Sequence, residues 1–169
     1  PHDVLFQMMQ YSDIIFGDQN EWEIASGVPH IPFEALDENY EIDKEAYLEY
    51  FRKMHHLFPK CKKMLMAVRN QIASSHHTLS GLLYDAVEDQ LYTTRIYDIE
   101  PIVDPMGVGD AFIAAYIHAH QKWGDKNQYC LDFSLSASAI KNTVPGDQNL
   151  VTEEEIINNM TSSGGRIQR

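Results

Sequence analysis

Residues Asp104 to Ala119 read DPMGVGDAFIAAYIHA, and their types and spacing suit the handling of an anion. Glycines at 107 and 109 let the backbone turn sharply and leave its N–H groups uncovered. The apolar run that follows has helical spacing, and a helix start adds unpaired N–H groups and the positive end of its dipole. Such a start binds anions without a basic side chain. Asp110 falls in the first turn, where a carboxylate would repel a resting phosphate; its better use is to take a proton from a hydroxyl that attacks one. On these residues alone, a plain turn with an acidic first-turn residue is an equal reading, because a lone GxG is weak evidence.

Two further groups invite chemistry. Asp18 and Glu21 are carboxylates three apart at a strand-to-helix junction, so they share a helical face and suit a hydrated Mg²⁺; the same spacing is that of a capping box, which this stretch alone favours. Arg69 is the one cation well placed for a phosphate or a substrate carboxylate, since its planar fork fits either; an exposed ion pair is the plainer alternative.

These residues need elements to hold them. Val4 to Gln10 has helical spacing, Tyr11 to Gly17 reads as a short buried strand, and Asp18 to Glu21 opens a helix stopped by Gly27-Val-Pro. His30 to Tyr40 is loop-like. Asp43 to Phe58 gathers Ala46, Tyr47, Tyr50, Phe51, Met54, Leu57 and Phe58 on one helical side, and Pro59 closes it. Lys63 to Val68 suits an inner parallel strand, and Arg69 to Ser80 reads as a polar turn with a little helix. Gly81 to Tyr84, Gln90 to Thr93 and Arg95 to Ile99 are short strands around an Asp-rich turn, forming a small antiparallel edge. Thr94 to Val103 delivers the chain to Asp104. After the motif helix, ended by Trp123-Gly124, Asn127 to Asn142 forms a helix whose small face (Ser134, Ser136, Ala137, Ser138, Ala139) leaves either a slot for a flat ring or a surface for close helix packing. Pro145-Gly146 makes a tight turn that presents Asp147 and Asn149. Thr152 to Glu155 caps a last helix, and Ser162 to Arg169 is a polar tail.

The 169 residues are 44% hydrophobic and 11% aromatic, enough for one compact core. Thirteen basic against 25 acidic residues give a formal charge of −12, which argues against nucleic acid or anionic membrane as a partner, since both demand a positive footprint. Cys61 and Cys130 have neither CxxC nor zinc spacing and read as reduced thiols in a cytoplasmic protein. No apolar run approaches a membrane span, and no signal peptide heads the chain. His55-His56 and the pair His118 and His120 diverge on their helices and do not share a metal site.

The string Asp-Pro-x-Gly-x-Gly-Asp-Ala-Phe-x-Ala-Ala resembles the C-terminal signature of the ribokinase-like (PfkB-type) carbohydrate kinases, D-T-x-G-A-G-D-x-F-x-A-G. MAVRN…SSHHTLSGLLYD, TVPGDQNLVT and GRIQR are further similar to segments of the 2-keto-3-deoxygluconate kinases. The resemblance runs from Asp13 to Arg169. It implies an α/β fold, the C-terminal portion of a three-layer α/β/α sandwich with a mostly parallel sheet. Residues 1–169 would be the C-terminal part of a single kinase domain, lacking the N-terminal sugar-binding part and the lid. The start at Pro-His-Asp without an initiating Met fits that expectation.

The resemblance also implies the chemistry: ATP-dependent phosphorylation of 2-keto-3-deoxygluconate to its 6-phosphate. Gly107, Val108 and Gly109 would offer N–H groups to the transferring phosphoryl group, and Asp110 would be the base. Val108 replaces the family's small residue and Ala115 its Gly. Glu21 would organise water around Mg²⁺, with Asp18 where Asn is usual. Ala67 and Arg69 stand where the family places T-x-G at the nucleotide phosphates, and the helix bearing Leu135 and Ser138 would line the adenine pocket. Asp147 would contact the sugar acid. The partners would be ATP and a small sugar acid, with a homo-oligomer for the full-length protein; a potassium ion near Thr143 to Asn149 stays open. The alternatives are another kinase of the same type, a fructokinase or ribokinase, and a catalytically silent nucleotide-binding or assembly module. A Rossmann dehydrogenase is disfavoured, because Asp directly after GxG would oppose a pyrophosphate.

Overall fold

The structure is a computed structural model that describes residues 2–31, 40–162 and 166–167. The first helix, α1 (His2–Met9), leads to β1 (Ile14–Gly17) and α2 (Gln19–Ser26), and a long helix α3 (Lys44–Leu57) follows. Next come β2 (Lys63–Ala73), β3 (His76–Asp85), β4 (Gln90–Thr93) and β5 (Tyr97–Ile99), then α4 (Val108–Trp123), α5 (Asn127–Lys141), α6 (Glu153–Thr161) and β6 (Arg166–Ile167). All twelve belong to one layered unit whose sheet runs β1-β2-β3-β5-β6, with β4 paired to β3 beside β5.

Strand alternation explains the layers. Along β2 and β3, Leu65, Leu79 and Leu83 point to one face and pack with α4, α5 and α6, while Met64, Met66, Val68, Leu82 and Tyr84 point to the other and pack with α2 and α3. These strands are therefore apolar on both faces, as a sheet covered by helices on both sides requires. Each fully buried leucine or methionine contributes roughly 1.5–3 kcal/mol relative to exposure.

The α/β/α architecture expected from the sequence is present, and the strand directions are more mixed than expected. β1 with β2 and β5 with β6 are parallel, whereas β3 is antiparallel to β2, β4 and β5. The reason lies in residues 69–80, which form no helix. β2 continues to Ala73, turns at Ser74-Ser75 and returns as β3, in register from Lys63 opposite Asp85 to Ala73 opposite His76, with one irregularity between Gln71 and Ala73. Polar residues near the tip (exposed Arg69, Gln71, Ser74 and Ser75) mask the strand, since the hairpin end needs little apolar surface.

The Thr94–Val103 run is strand only over Tyr97–Ile99 and leaves through a cis Glu100–Pro101 peptide. The polar tail contains β6, which adds to β5. Of the loop expected at His30 to Tyr40, positions 32–39 lie outside the described residues, as do most of the tail's. Among the described residues, no helix is long and apolar enough to cross a membrane, and both cysteines are free and buried.

A buried polar link ties the sheet to α5. Lys63 Nζ donates to Asn127 Oδ1 at 2.6 Å and to Asp125 at 2.8 Å, and lies 3.6 Å from Asp85, to which Asn127 Nδ2 also donates. This link fixes the start of α5, whose other end meets the glycine turn.

Candidate active site at the start of α4

Gly107 is the N-cap of α4, with φ 75°, and no side chain caps the helix. The first turn's N–H groups, at Val108, Gly109 and Asp110, are thus left for solvent or a ligand, with the helix dipole behind them. A side chain at Gly107 would be strained. Besides the positive φ, an added Cβ would lie 2.1 Å from the carbonyl oxygen of Asp147. That close approach seats the 142–147 loop directly against the turn.

Three residues, Ser138, Asp104 and Asn142, hold the turn. Ser138 Oγ donates to Val108 O at 3.0 Å. Asp104 accepts from Met106 N at 3.0 Å and from Gly146 N at 2.8 Å. Asn142 O accepts from Val103 N at 2.8 Å and Asp104 N at 3.2 Å. The Met106 and Gly146 N–H groups, joined by the Lys141 charge, hold the Asp104 carboxyl below its ordinary value.

Asp110 is exposed in this first turn and lines two cavities, as does Gly107. One, of about 360 Å³, also contains Gly17, Asp18, Glu21, Ala67, Val108 and Gly109. The other, of about 410 Å³, runs between α4 and α6 past Ala111, Ala114, His118 and Phe133 to Asp147 and Asn149. The fold therefore brings together the glycine turn, Asp110, Asp18, Glu21, Ala67 and Asp147 around one helix start. Among the described residues, no Lys or Arg lines either cavity.

Asp18 and Glu21 form a reciprocal capping box: Asp18 Oδ1 accepts from Glu21 N at 2.8 Å and Glu21 Oε2 accepts from Asp18 N at 2.9 Å. The box aims both carboxylates from the α2 start into the 360 Å³ cavity, and each keeps a second oxygen. Gly17 before them is pressed against Trp22, whose indole nitrogen would lie 2.1 Å from a Cβ there. Two carboxylates beside an open turn fit a hydrated Mg²⁺ that they meet partly through water. Among the described residues, no group of three or more His, Cys, Asp or Glu gathers as a metal cage.

Three expected residues lie elsewhere. Arg69 is exposed on β2, two residues beyond Ala67, and lines neither cavity. Leu135 and Ser138, expected against adenine, are fully buried. The small face of α5 packs closely on its neighbours: Ser136 Oγ donates to Ile156 O of α6 and Ser138 Oγ to Val108 O of α4, while Ser134 Oγ bonds Cys130 O within the helix.

Asn149, which the Pro145-Gly146 turn was expected to present with Asp147, lines the 410 Å³ cavity, and so does His118, which the sequence reading did not name as a ligand. His118 pairs with Glu153 at 2.7 Å, and Glu153 also receives Lys122 at 2.6 Å. The signal was present in the spacing of Ala111, Ala114, Ala115 and His118, a stripe along one helical face. His120 bonds the Gly124 carbonyl instead, confirming that the two histidines diverge.

Fold and site define a layered α/β protein that offers an uncapped helix start, with a carboxylate in its first turn, to a ligand between two cavities. Comparison with solved structures finds the same fold in other proteins. A 2-dehydro-3-deoxygluconokinase from Thermotoga maritima superposes with a TM-score of 0.81 at 25% identity, over 95% of this chain and 45% of that one. A PfkB family carbohydrate kinase from Listeria grayi gives 0.74 at 24% identity, over 92% and 43%. The Arabidopsis thaliana ribokinase solved with ribose and ATP gives 0.67 at 21%, over 94% and 44%. No protein-family model matches the sequence, and no curated protein does. The chain has the ribokinase-like fold of the PfkB-type carbohydrate kinases, and it spans just under half the length of these relatives.

Proposed function

We propose that this chain is the C-terminal part of an ATP-dependent sugar kinase that phosphorylates 2-keto-3-deoxygluconate at its terminal hydroxyl. The observation that carries the reading is the placement of Asp110 in the uncapped first turn of α4, on the wall shared by both cavities. The likeness to a 2-dehydro-3-deoxygluconokinase and the PGDQNLVT segment support the substrate class.

In this mechanism Asp110 accepts the proton of the sugar hydroxyl as its oxygen forms a bond to the γ-phosphorus. The bond from that phosphorus to the β,γ-bridging oxygen breaks, and ADP leaves with the electron pair. The N–H groups of Val108, Gly109 and Asp110 stabilise charge on the equatorial oxygens, and their fixed orientation costs no reorganisation. Asp18 and Glu21 would hold Mg²⁺, which supplies neutralisation of the phosphate charge. Asp147, carried against Gly107, lies where a substrate group would meet it. The buried free thiols Cys61 and Cys130 fit a reducing cytoplasm.

The test is ATP consumption by the full-length protein with Mg²⁺ against 2-keto-3-deoxygluconate, fructose, ribose and gluconate. Selective turnover of the keto-deoxy acid is expected. Preference for fructose or ribose would keep the mechanism and replace the substrate; no turnover with any sugar would leave a silent nucleotide-binding module.

A further inference from the structure

Ser138 is fully buried, so it does not meet a nucleotide, and its hydroxyl reaches outside its own helix: Oγ donates to Val108 O at 3.0 Å. That carbonyl belongs to the same peptide unit as the Gly109 N–H. The unit is planar and trans, so its C=O and N–H point in opposite directions, and drawing the oxygen onto α5 turns the N–H outward. Gly109 lines the 360 Å³ cavity.

Glycine at 109 makes this orientation one of two that sterics allow. Residues 107–110 form the first turn of α4, with Ala111 N donating to Gly107 O at 2.9 Å. Rotating the 108–109 peptide by about 180° gives the type II form of the same turn, which needs a positive φ, and so a glycine, at its third residue. Gly109 does not have a positive φ, and nothing lies within 4 Å of its Cβ position to hinder the change. The Val108 side chain packs on the core, which leaves the plane of the peptide as the free coordinate of the turn. A flipped peptide would show phosphate a carbonyl oxygen.

We infer that Ser138 is a positioning residue whose hydroxyl holds the Val108–Gly109 peptide in the orientation that offers an N–H to the transferring phosphoryl group. A carbonyl oxygen has two lone pairs, of which a helix ladder uses one, and Ser138 engages the other from a neighbouring helix. Ser138 is itself anchored. Asn142, one turn on, donates from Nδ2 to Ser138 O at 3.0 Å, and Asn142 O accepts from Val103 N and Asp104 N. The last turn of α5 thus grips the chain on both sides of the glycine turn, at 103–104 and at 108.

The inference rests on the kinase reading for its catalytic consequence, but the orientation of the peptide is open to a separate measurement. Ser138→Ala removes one oxygen and adds no bulk. In the full-length protein labelled with ¹⁵N-glycine, the Gly109 amide is identified as the signal missing from Gly109→Ala. In Ser138→Ala that signal should shift and broaden through exchange between two orientations on the microsecond to millisecond scale, while the signal of Gly124 at the far end of α4 stays in place. At saturating ATP and sugar, kcat should fall about 2–12-fold, the range that loss of one hydrogen bond allows. In a Gly109→Ala background, where alanine already disfavours the flipped form, the same change should alter kcat by less than about twofold.

An unmoved Gly109 signal would overturn the assignment. So would equal losses of kcat in the two backgrounds, since a serine that served only packing would act alike in both. A displaced Gly109 signal in a protein whose wild type turns over no sugar would uphold the role of Ser138 in the turn and sink the kinase reading instead.

Discussion

Replacing each glycine of the turn with alanine separates two roles that the sequence presents as equivalent. At Gly107 the added Cβ meets Asp147 O at 2.1 Å, so the two loops must part by more than 1 Å to reach the ordinary contact range that begins at 3.4 Å. The left-handed φ of 75° costs a further ~1–2 kcal/mol for alanine. With ~1–3 kcal/mol for overpacking, the loss is about 2–5 kcal/mol, or about 10 °C in Tm for a domain of this size. At Gly109 nothing lies within 4 Å of a Cβ and φ is not positive. Alanine there should leave stability unchanged or raise it by up to about 1 kcal/mol. Yet Gly109 lines the 360 Å³ cavity, so its new methyl group takes space from a phosphate. Thermal unfolding paired with ATP titration reads both effects: Gly107→Ala melts early, whereas Gly109→Ala melts normally and binds ATP weakly. A Gly107→Ala protein as stable as wild type would refute the reasoning, as would a Gly109→Ala protein equally destabilised.

Asp110→Asn in the full-length protein should lower turnover by roughly 10²–10⁴-fold while ATP binding measured by calorimetry survives, since the side chain holds no helix cap. Asp18→Ala should cost about 1 kcal/mol of stability by removing the α2 cap, read by denaturant titration; no change would deny the capping box seen here. Chelating divalent cations with EDTA should abolish ATP binding, because among the described residues no Lys or Arg lines either cavity; ATP titration with and without EDTA decides it. At high pH the protein should lose stability from the α3 side of the sheet. Burial pushes the Cys61 thiol up from 9.0 to about 11, and the Tyr47, Tyr50 and Tyr84 phenols up from 10.0 to about 12. Raised values favour the neutral forms in the fold, so this contribution is intact below pH 9.0 and is lost as pH climbs through about 11 to 12. Tyrosine ionisation followed near 295 nm should then coincide with unfolding, and free ionisation of these phenols in a folded protein would contradict it.

The glycine turn and helix around Gly107 were legible because each rests on a local rule, a glycine pair and then helical spacing, whereas the strand expected over Thr94 to Val103 is realised only at Tyr97–Ile99. The α2 and α6 caps were legible for the same reason. The β2–β3 hairpin beyond Val68 was not, because Arg69, Asn70 and Gln71 carry no apolar alternation, and their strand state depends on the partners Leu79, Thr78 and His77 on the returning strand. The α5 face was ambiguous by nature. Small residues permit either a ligand or a neighbouring backbone, and only the approach of α4 and α6, where Ser138 and Ser136 spend their hydroxyls on main-chain carbonyls, decides for packing.

The acidic character of the chain and its proposed polyanionic substrate are reconciled at the scale of single groups. Around the helix start stand Asp18, Glu21, Asp110 and Asp147, all carboxylates, in a protein of formal charge −12. A field of that sign steers ATP away rather than toward the site. What opposes it is short-ranged: N–H groups of an uncapped turn, a helix dipole, and carboxylates that can share a cation with the phosphates. Such forces fall off within a turn of helix, so they work only if the turn keeps its place to within a fraction of an ångström. That requirement accounts for the investment in holding it: Ser138 beneath Val108, Asp104 between Met106 and Gly146, and Gly107 against Asp147. The buried contacts under the turn are thus the counterpart of the missing basic side chains above it.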